Sequence, residues 1–225
     1  MDTEQPDLPL NSQIIVRKTW LNQRPNPKAF LNAIIIVGLI SLICLLYWIH
    51  NENTGLWGAA SHDEVFVFHQ YWKAWTTLFA HGDIKHLLSN LFLLFFLGSF
   101  LQAYFGFFVF PIAAFFFGGV TNLLVLYFME SHVELLGASG IVYWLGGTWL
   151  TLYFFLEIRK NYIQRFLRAS GVAIVLFFPA EAFDPQISYL SHSVGFFSGI
   201  LFGIAFYKLN KIKFQSALVT EEVFD

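Results

Sequence analysis

SYLSHSVGFFSGILFG, residues 188–203, carries one histidine and three glycines among Phe, Leu, Ile and Ser. At a helical period, His192, Gly195, Gly199 and Gly203 fall at i, i+3, i+7 and i+11, on one smooth face. Small residues every four positions let two helix backbones approach closely inside a membrane. The stretch therefore reads as a membrane-crossing helix that packs tightly on a partner, with an imidazole at the top of the contact. What the partner is, and what the histidine does there, has to come from the rest of the chain.

The composition fits such an environment. Of 225 residues, 56% are hydrophobic and only 12% charged, with 28 phenylalanines and a mean hydropathy of +0.58. Soluble domains carry about 25% charged residues, so this chain has too little polar surface to cover a water-soluble globule. The net charge of −2 offers no broad basic surface, and no nucleic acid partner is expected. The single cysteine, Cys44, lies in an apolar run, has no disulfide partner and reads as packing. The polar, acidic start (MDTEQPDL) does not resemble a secretory signal, and the apolar run after it is too long for one.

About 20 apolar residues cross a bilayer core. Runs at 29–50, 84–104, 107–128, 139–156 and 189–207 meet or approach that length, and a sixth at 169–183 is short and contains Pro179. With six spans and the N-terminus in the cytoplasm, eleven of the 13 Lys and Arg residues are cytoplasmic, and only Lys73 and Lys85 fall outside. Five spans would place Lys208, Lys211 and Lys213 on the wrong side. The expectation is an all-α six-helix membrane bundle over 29–207, with cytoplasmic tails at 1–28 and 208–225. The tail ends, 1–12 and 214–225, are expected to be mobile and are given no role. The first loop, about 33 residues from 51 to 83, is long for a connector. It is rich in aromatic residues, and Trp72 and Trp75 suit the headgroup level. The loop is expected to lie in the outer interface.

On this topology the second, fourth and sixth spans all run inward, and each opens with polar residues. The second opens HGDIKHLLSN, with His81, His86 and Asn90. The fourth opens SG within GASG, with Ser139. The sixth brings His192. His86 and Asn90 are four apart and share a face, while His81, five before His86, points elsewhere or precedes the helix. Gly140, Gly146 and Gly147 give the fourth span a small-residue surface to meet Gly195 and Gly199. If those helices pack, Ser139 and His192 meet near the outer end, with Tyr143 one turn below the serine and under the imidazole.

This set permits nucleophilic acyl transfer. A serine hydroxyl becomes a competent nucleophile when a base takes its proton, and histidine is the usual base near neutral pH. The backbone N–H of Ser139, free at a helix start, and the side chains of His86 and Asn90 can bind the oxyanion. A lone serine in a glycine-rich membrane helix is commonly a packing residue. The shared depth of Ser139, His192, His86 and Asn90 favours catalysis, because ionisable and amide groups in a span are costly and mark function.

These residues resemble the rhomboid family of intramembrane serine proteases. The resemblance rests on His81, His86 and Asn90 at the second span. It rests also on GxSG with a tyrosine four residues on (Gly137, Ser139, Gly140, Tyr143), and on HxxGxxxG in the last span (His192, Gly195, Gly199). It implies a Ser139–His192 dyad without a carboxylate and an oxyanion hole helped by His86 and Asn90. It also implies cleavage of transmembrane protein substrates at or just inside the outer membrane boundary. No cofactor or metal is expected: His81 and His86 are badly spaced for chelation from one helix face, and no HExxH occurs. The chain departs from the family pattern at Lys73, where an arginine often follows the tryptophan, at Gln102, where a glutamate is common, and in its short fifth span. A catalytically silent relative that binds transmembrane helices is the alternative. A bacterial-type plasma membrane suits a minimal six-span core. The sequence does not fix the oligomeric state.

Overall fold

A computed structural model describes residues 12–54, 58–177 and 188–224. Five helices among the described residues are long and apolar enough to cross a membrane: Lys28–His50, Ile84–Phe105, Phe108–Phe128, Ser139–Leu156 and Tyr189–Leu209. In chain order the elements are strand β1 (Ser12–Lys18), helix α1 (Lys28–Thr54), a two-residue strand β2 (Ala60–Ser61) and a one-turn helix α2 (Lys73–Thr76). They continue with α3 (Ile84–Phe105), α4 (Ala114–Phe128), a two-residue strand β3 (Glu134–Leu135), α5 (Ser139–Leu156), α6 (Tyr162–Phe177), α7 (Tyr189–Leu209), α8 (Lys211–Gln215) and β4 (Val219–Phe224). This is an all-α membrane bundle with small β pairings at its margins. The expected short span at 169–183 begins inside α6; Pro179, with Glu181 and Asp184, lies outside the described residues.

Helix boundaries follow local chemistry. Asp83 caps α3, its carboxylate accepting the His86 backbone N–H at 2.8 Å. That bond to the ionised form, helped by Lys85, also holds the Asp83 carboxyl below its usual range. Ser188 caps α7 through the Ser191 N–H. Gly106, at φ +94°, ends α3, a left-handed backbone that favours glycine. A kinked turn at Phe108–Ala113, with Phe110 extended (φ −137°, ψ 125°) before Pro111, then leads into α4.

The bundle has large apolar side chains on its outside. Phe30, Leu31, Ile35, Leu88, Phe92 and Phe197 are exposed, a surface suited to lipid chains and to no aqueous solvent. Trp144, Phe110, Leu94, Leu101, Ile141 and Leu145 fill the interior. α5 is the central helix, packed against α3, α4, α6 and most extensively α7.

Two expectations change. The described parts of the tails form a ribbon: β1 pairs antiparallel with β4, with Ile15 opposite Glu221 and Val16 opposite Thr220, and Arg17 bonds Glu221 at 2.6 Å. Beside it, Phe214 is buried against Trp20, Phe105, Phe206 and Tyr207. The Trp20 indole N–H donates to the Tyr104 carbonyl. Apolar side chains flanking the tails were a better guide than their polar composition. Second, Trp75 is half-buried and turned in against α4. Its indole lies where a Cβ on Gly119 would be, so it plugs the first loop into α4, whereas Trp72 is exposed.

Candidate active site

The site is built where α5 and α7 start. A Cβ on Gly195 would collide with the Gly140 carbonyl oxygen, one on Gly199 with that of Trp144, and one on Gly147 with that of Phe196. A Cβ on Gly203 would lie 2.8 Å from the Thr151 Cβ. Every glycine of the α7 face therefore meets α5 at closer range than any side chain permits. The Thr148 hydroxyl crosses the same seam to donate to the Gly199 carbonyl at 3.1 Å. Because Gly140 touches Gly195, the preceding Ser139 and the His192 one turn above Gly195 share one end of the bundle. The Tyr143 ring stacks on the His192 imidazole, centroids 4.0 Å apart and 13° from parallel. Ser139 and His192 are each half-buried.

The approach to Ser139 is held from below. Gly137 has φ +106°, a left-handed conformation in which a side chain is strained. It also lacks room for one: a Cβ there would lie 2.7 Å from His86 Cε1, 2.9 Å from His86 Nε2 and 3.7 Å from Asn90 Nδ2. His86 and Asn90 thus lie against the backbone two residues before the serine. Asn90 Nδ2 is buried with no hydrogen-bond partner among the described residues. A buried amide donor without an acceptor is costly unless something supplies one.

His81 precedes α3, as one of the two sequence alternatives had it, and is fully buried. Its Nε2 accepts the Ala138 backbone N–H at 3.4 Å, which places the ring proton on Nδ1. Its ring meets that of His86 edge to face, centroids 5.0 Å apart. Its carbonyl accepts the Trp48 indole N–H from α1 at 2.7 Å. Burial, with His86 beside it, pushes the His81 imidazole down to about 4, so it is neutral near pH 7. Thr77 completes the brace: its hydroxyl donates to the Leu135 carbonyl at 2.6 Å and its own carbonyl accepts the Gly137 N–H at 3.1 Å. The segment before Ser139 is therefore tied to the first loop on both sides.

Several contributors escaped the sequence reading. Asn122 on α4 donates from Nδ2 to the Ala74 carbonyl, and its Oδ1 faces the Cβ position of Gly140. Ser191, beside His192, is buried with its hydroxyl facing the same position. An asparagine in the apolar run of the fourth helix was a visible signal, since a buried amide in a span needs partners. Lys73, marked as a departure from arginine, is nearly buried and pairs with Glu64 at 2.5 Å; the other carboxylate oxygen of Glu64 accepts the Ser61 N–H. Gln102 is buried at the far end of α3 with its Oε1 unpartnered among the described residues.

The profile of the Rhomboid domain family matches residues 69–209, well over half of the chain, a range that includes His81, His86, Asn90, Ser139 and His192. RHOMBOID-like protein 1 of Arabidopsis thaliana is 28% identical over 153 residues, which cover 66% of this chain and 38% of that protein. The chain thus matches well under half the length of that relative. The glycine seam between α5 and α7, the braced turn before Ser139 and the sequence match lead to one assignment: this multi-pass membrane protein belongs to the rhomboid family.

Proposed function

We propose that the chain is an intramembrane serine endopeptidase that cuts transmembrane segments of other membrane proteins near the outer boundary of the bilayer. The observation that carries this reading is the Gly140–Gly195 contact, which brings a serine and a stacked histidine from two helices to one end of the bundle. In the proposed reaction His192 takes the proton of the Ser139 hydroxyl as the oxygen attacks the scissile carbonyl. The stacked Tyr143 holds the imidazole to one orientation. The oxyanion sits against the Ser139 N–H, with Asn90 Nδ2 and His86 as further donors; an oxyanion is the acceptor that the buried Asn90 amide lacks. His192 returns the proton to the leaving amine, and water then hydrolyses the acyl-enzyme by the same route reversed. The half-exposure of Ser139 supports access for that water.

The accompanying topology is six spans over 29–207 with both termini cytoplasmic, α6 contributing to the fifth, in a bacterial-type plasma membrane. The basic clusters at 159–168 and 208–213 support it.

The test is labelling of the folded, detergent-purified protein with a fluorophosphonate, alongside cleavage of a reporter transmembrane segment. Ser139→Ala and His192→Ala should each abolish labelling and lower cleavage by about 10⁴-fold or more, with the melting temperature little changed. Cleavage that persists in either variant would falsify the dyad. A folded wild type that neither labels nor cleaves would leave helix binding as the function.

A further inference from the structure

Away from Ser139, α5, α6 and α7 enclose a groove of about 240 Å³. Phe154, Phe155 and Thr151 of α5, Phe166 and Ser170 of α6, and Ile204 of α7 contribute to its walls. The Thr151 hydroxyl is already spent on the Gly147 carbonyl at 2.9 Å, so almost nothing polar remains to hold water. An apolar void stays dry, and an empty one costs dispersion contacts; in a bilayer the available filler is an acyl chain.

The mouth of this groove is cationic. α5 runs from Ser139 to Leu156, so Phe154 and the start of α6 lie at the end of the bundle opposite the serine. Arg165 sits one turn before Ala169 on the α6 face that lines the groove. Its guanidinium lies over the rings of Phe154 and Tyr162, each 5.3 Å away, and Nη1 donates to the Phe154 carbonyl at 2.9 Å. Its Nε–H is buried without an acceptor, and no carboxylate pairs with it among the described residues. Arg159 differs: it forms a two-pronged pair with Glu157 at 2.7 and 2.5 Å, which raises its affinity for the proton. Lys160 and Arg168 flank Arg165 in the sequence and carry the same charge. The groove and the unneutralised guanidinium share Phe154 as a common wall.

We propose that this groove is a binding site for one anionic phospholipid, an acyl chain lying between α5, α6 and α7 and the phosphate pairing with Arg165. The phosphodiester supplies the anion and the acceptor that the guanidinium lacks, and arginine suits phosphate because its donors form a fixed fork. The chain fills the cavity and ties α6 to α5 and α7. Such a lipid would stay with the protein as a structural ligand, independently of whether Ser139 is catalytic.

Native mass spectrometry of the full chain, stripped of lipid in detergent, tests this with three probes. They are dioleoyl phosphatidylglycerol, phosphatidylcholine with the same chains, and glycerol 3-phosphate. One phosphatidylglycerol should be retained roughly tenfold more tightly than phosphatidylcholine, and glycerol 3-phosphate should not be retained, because both head and chain are needed. Arg165→Gln should erase the preference for the anionic lipid, Arg165→Lys should keep part of it, and Ser170→Phe, which fills the groove, should lower retention of both lipids. Equal retention of the two lipids would overturn the proposal. So would retention of glycerol 3-phosphate alone, a preference unchanged in Arg165→Gln, or retention of both lipids unchanged in Ser170→Phe. The three-probe comparison on the unsubstituted protein stands even where a variant does not fold.

Discussion

His81 shows at the scale of one residue how a titratable group can serve a neighbouring backbone. Its imidazole accepts the Ala138 N–H only while neutral, and burial depresses its protonation to about 4 from 6.5. The unfolded chain therefore binds a proton between these values that the folded chain does not. Stability should be constant through this group above about pH 6.5, fall as pH drops towards 4, and change no further below that. The loss across that window should approach about 3 kcal/mol. His81→Gln, which keeps an acceptor and has no titration, should flatten that part of a thermal-stability profile measured from pH 7 to 4. A profile as steep as the wild type's would assign the slope to other groups. The role of His81 as a brace was not legible in the sequence: spacing put it off the His86–Asn90 face, but its acceptor bond needs Ala138, 57 positions away.

At the scale of elements, the glycine seam and the first-loop ion pair each make a prediction. Gly195→Ala drives a methyl group into the Gly140 backbone, which has no rotamer through which to yield. It should cost about 1–3 kcal/mol and reduce the proposed cleavage further than stability alone explains, because Ser139 and His192 are separated. Gly38→Ala on α1, where a Cβ meets nothing within 4 Å, should instead gain about 0.5–1 kcal/mol. Opposite signs in chemical or thermal unfolding distinguish a packing glycine from an idle one, and equal effects would refute the seam. For Lys73 and Glu64, each single change to Met or Gln should destabilise, Glu64→Gln more, because it leaves the nearly buried ammonium unpaired. The double change should cost less than the sum, with about 1–3 kcal/mol of coupling in a double-mutant cycle. Additive costs would show that the pair does not hold the loop. The seam was readable because i, i+3, i+7 spacing survives in sequence, but the Lys73–Glu64 pair was not, because it depends on how the loop folds back.

On the scale of the whole molecule, the described parts of the two tails are joined to each other. β1 and β4 pair across some 200 residues, and Phe214 anchors beside them in a cluster with Trp20, Phe105, Phe206 and Tyr207. A two-stranded ribbon alone is marginal in water, so its persistence depends on this anchor. Phe214→Ala should cost about 3–5 kcal/mol and raise hydrogen exchange throughout β1 and β4 together. Exchange confined to β4 would show that the strands are held separately.

What the sequence determined by itself was everything with a local period or a compositional cause. That covers the membrane class, five of the helices, the glycine face of α7 and the one-face pairing of His86 with Asn90. Apolar length and the 3.6-residue repeat are properties of neighbouring residues, so they can be read without a fold. The tertiary structure alone decided that Trp75 plugs α4, that the tails form a ribbon, that Asn122 and Thr77 brace the approach to Ser139, and that Arg165 faces an apolar groove without a counter-ion. Each of these is a contact between distant segments. Its energy depends on which face of one helix meets which face of another, and no single stretch of chain contains that information.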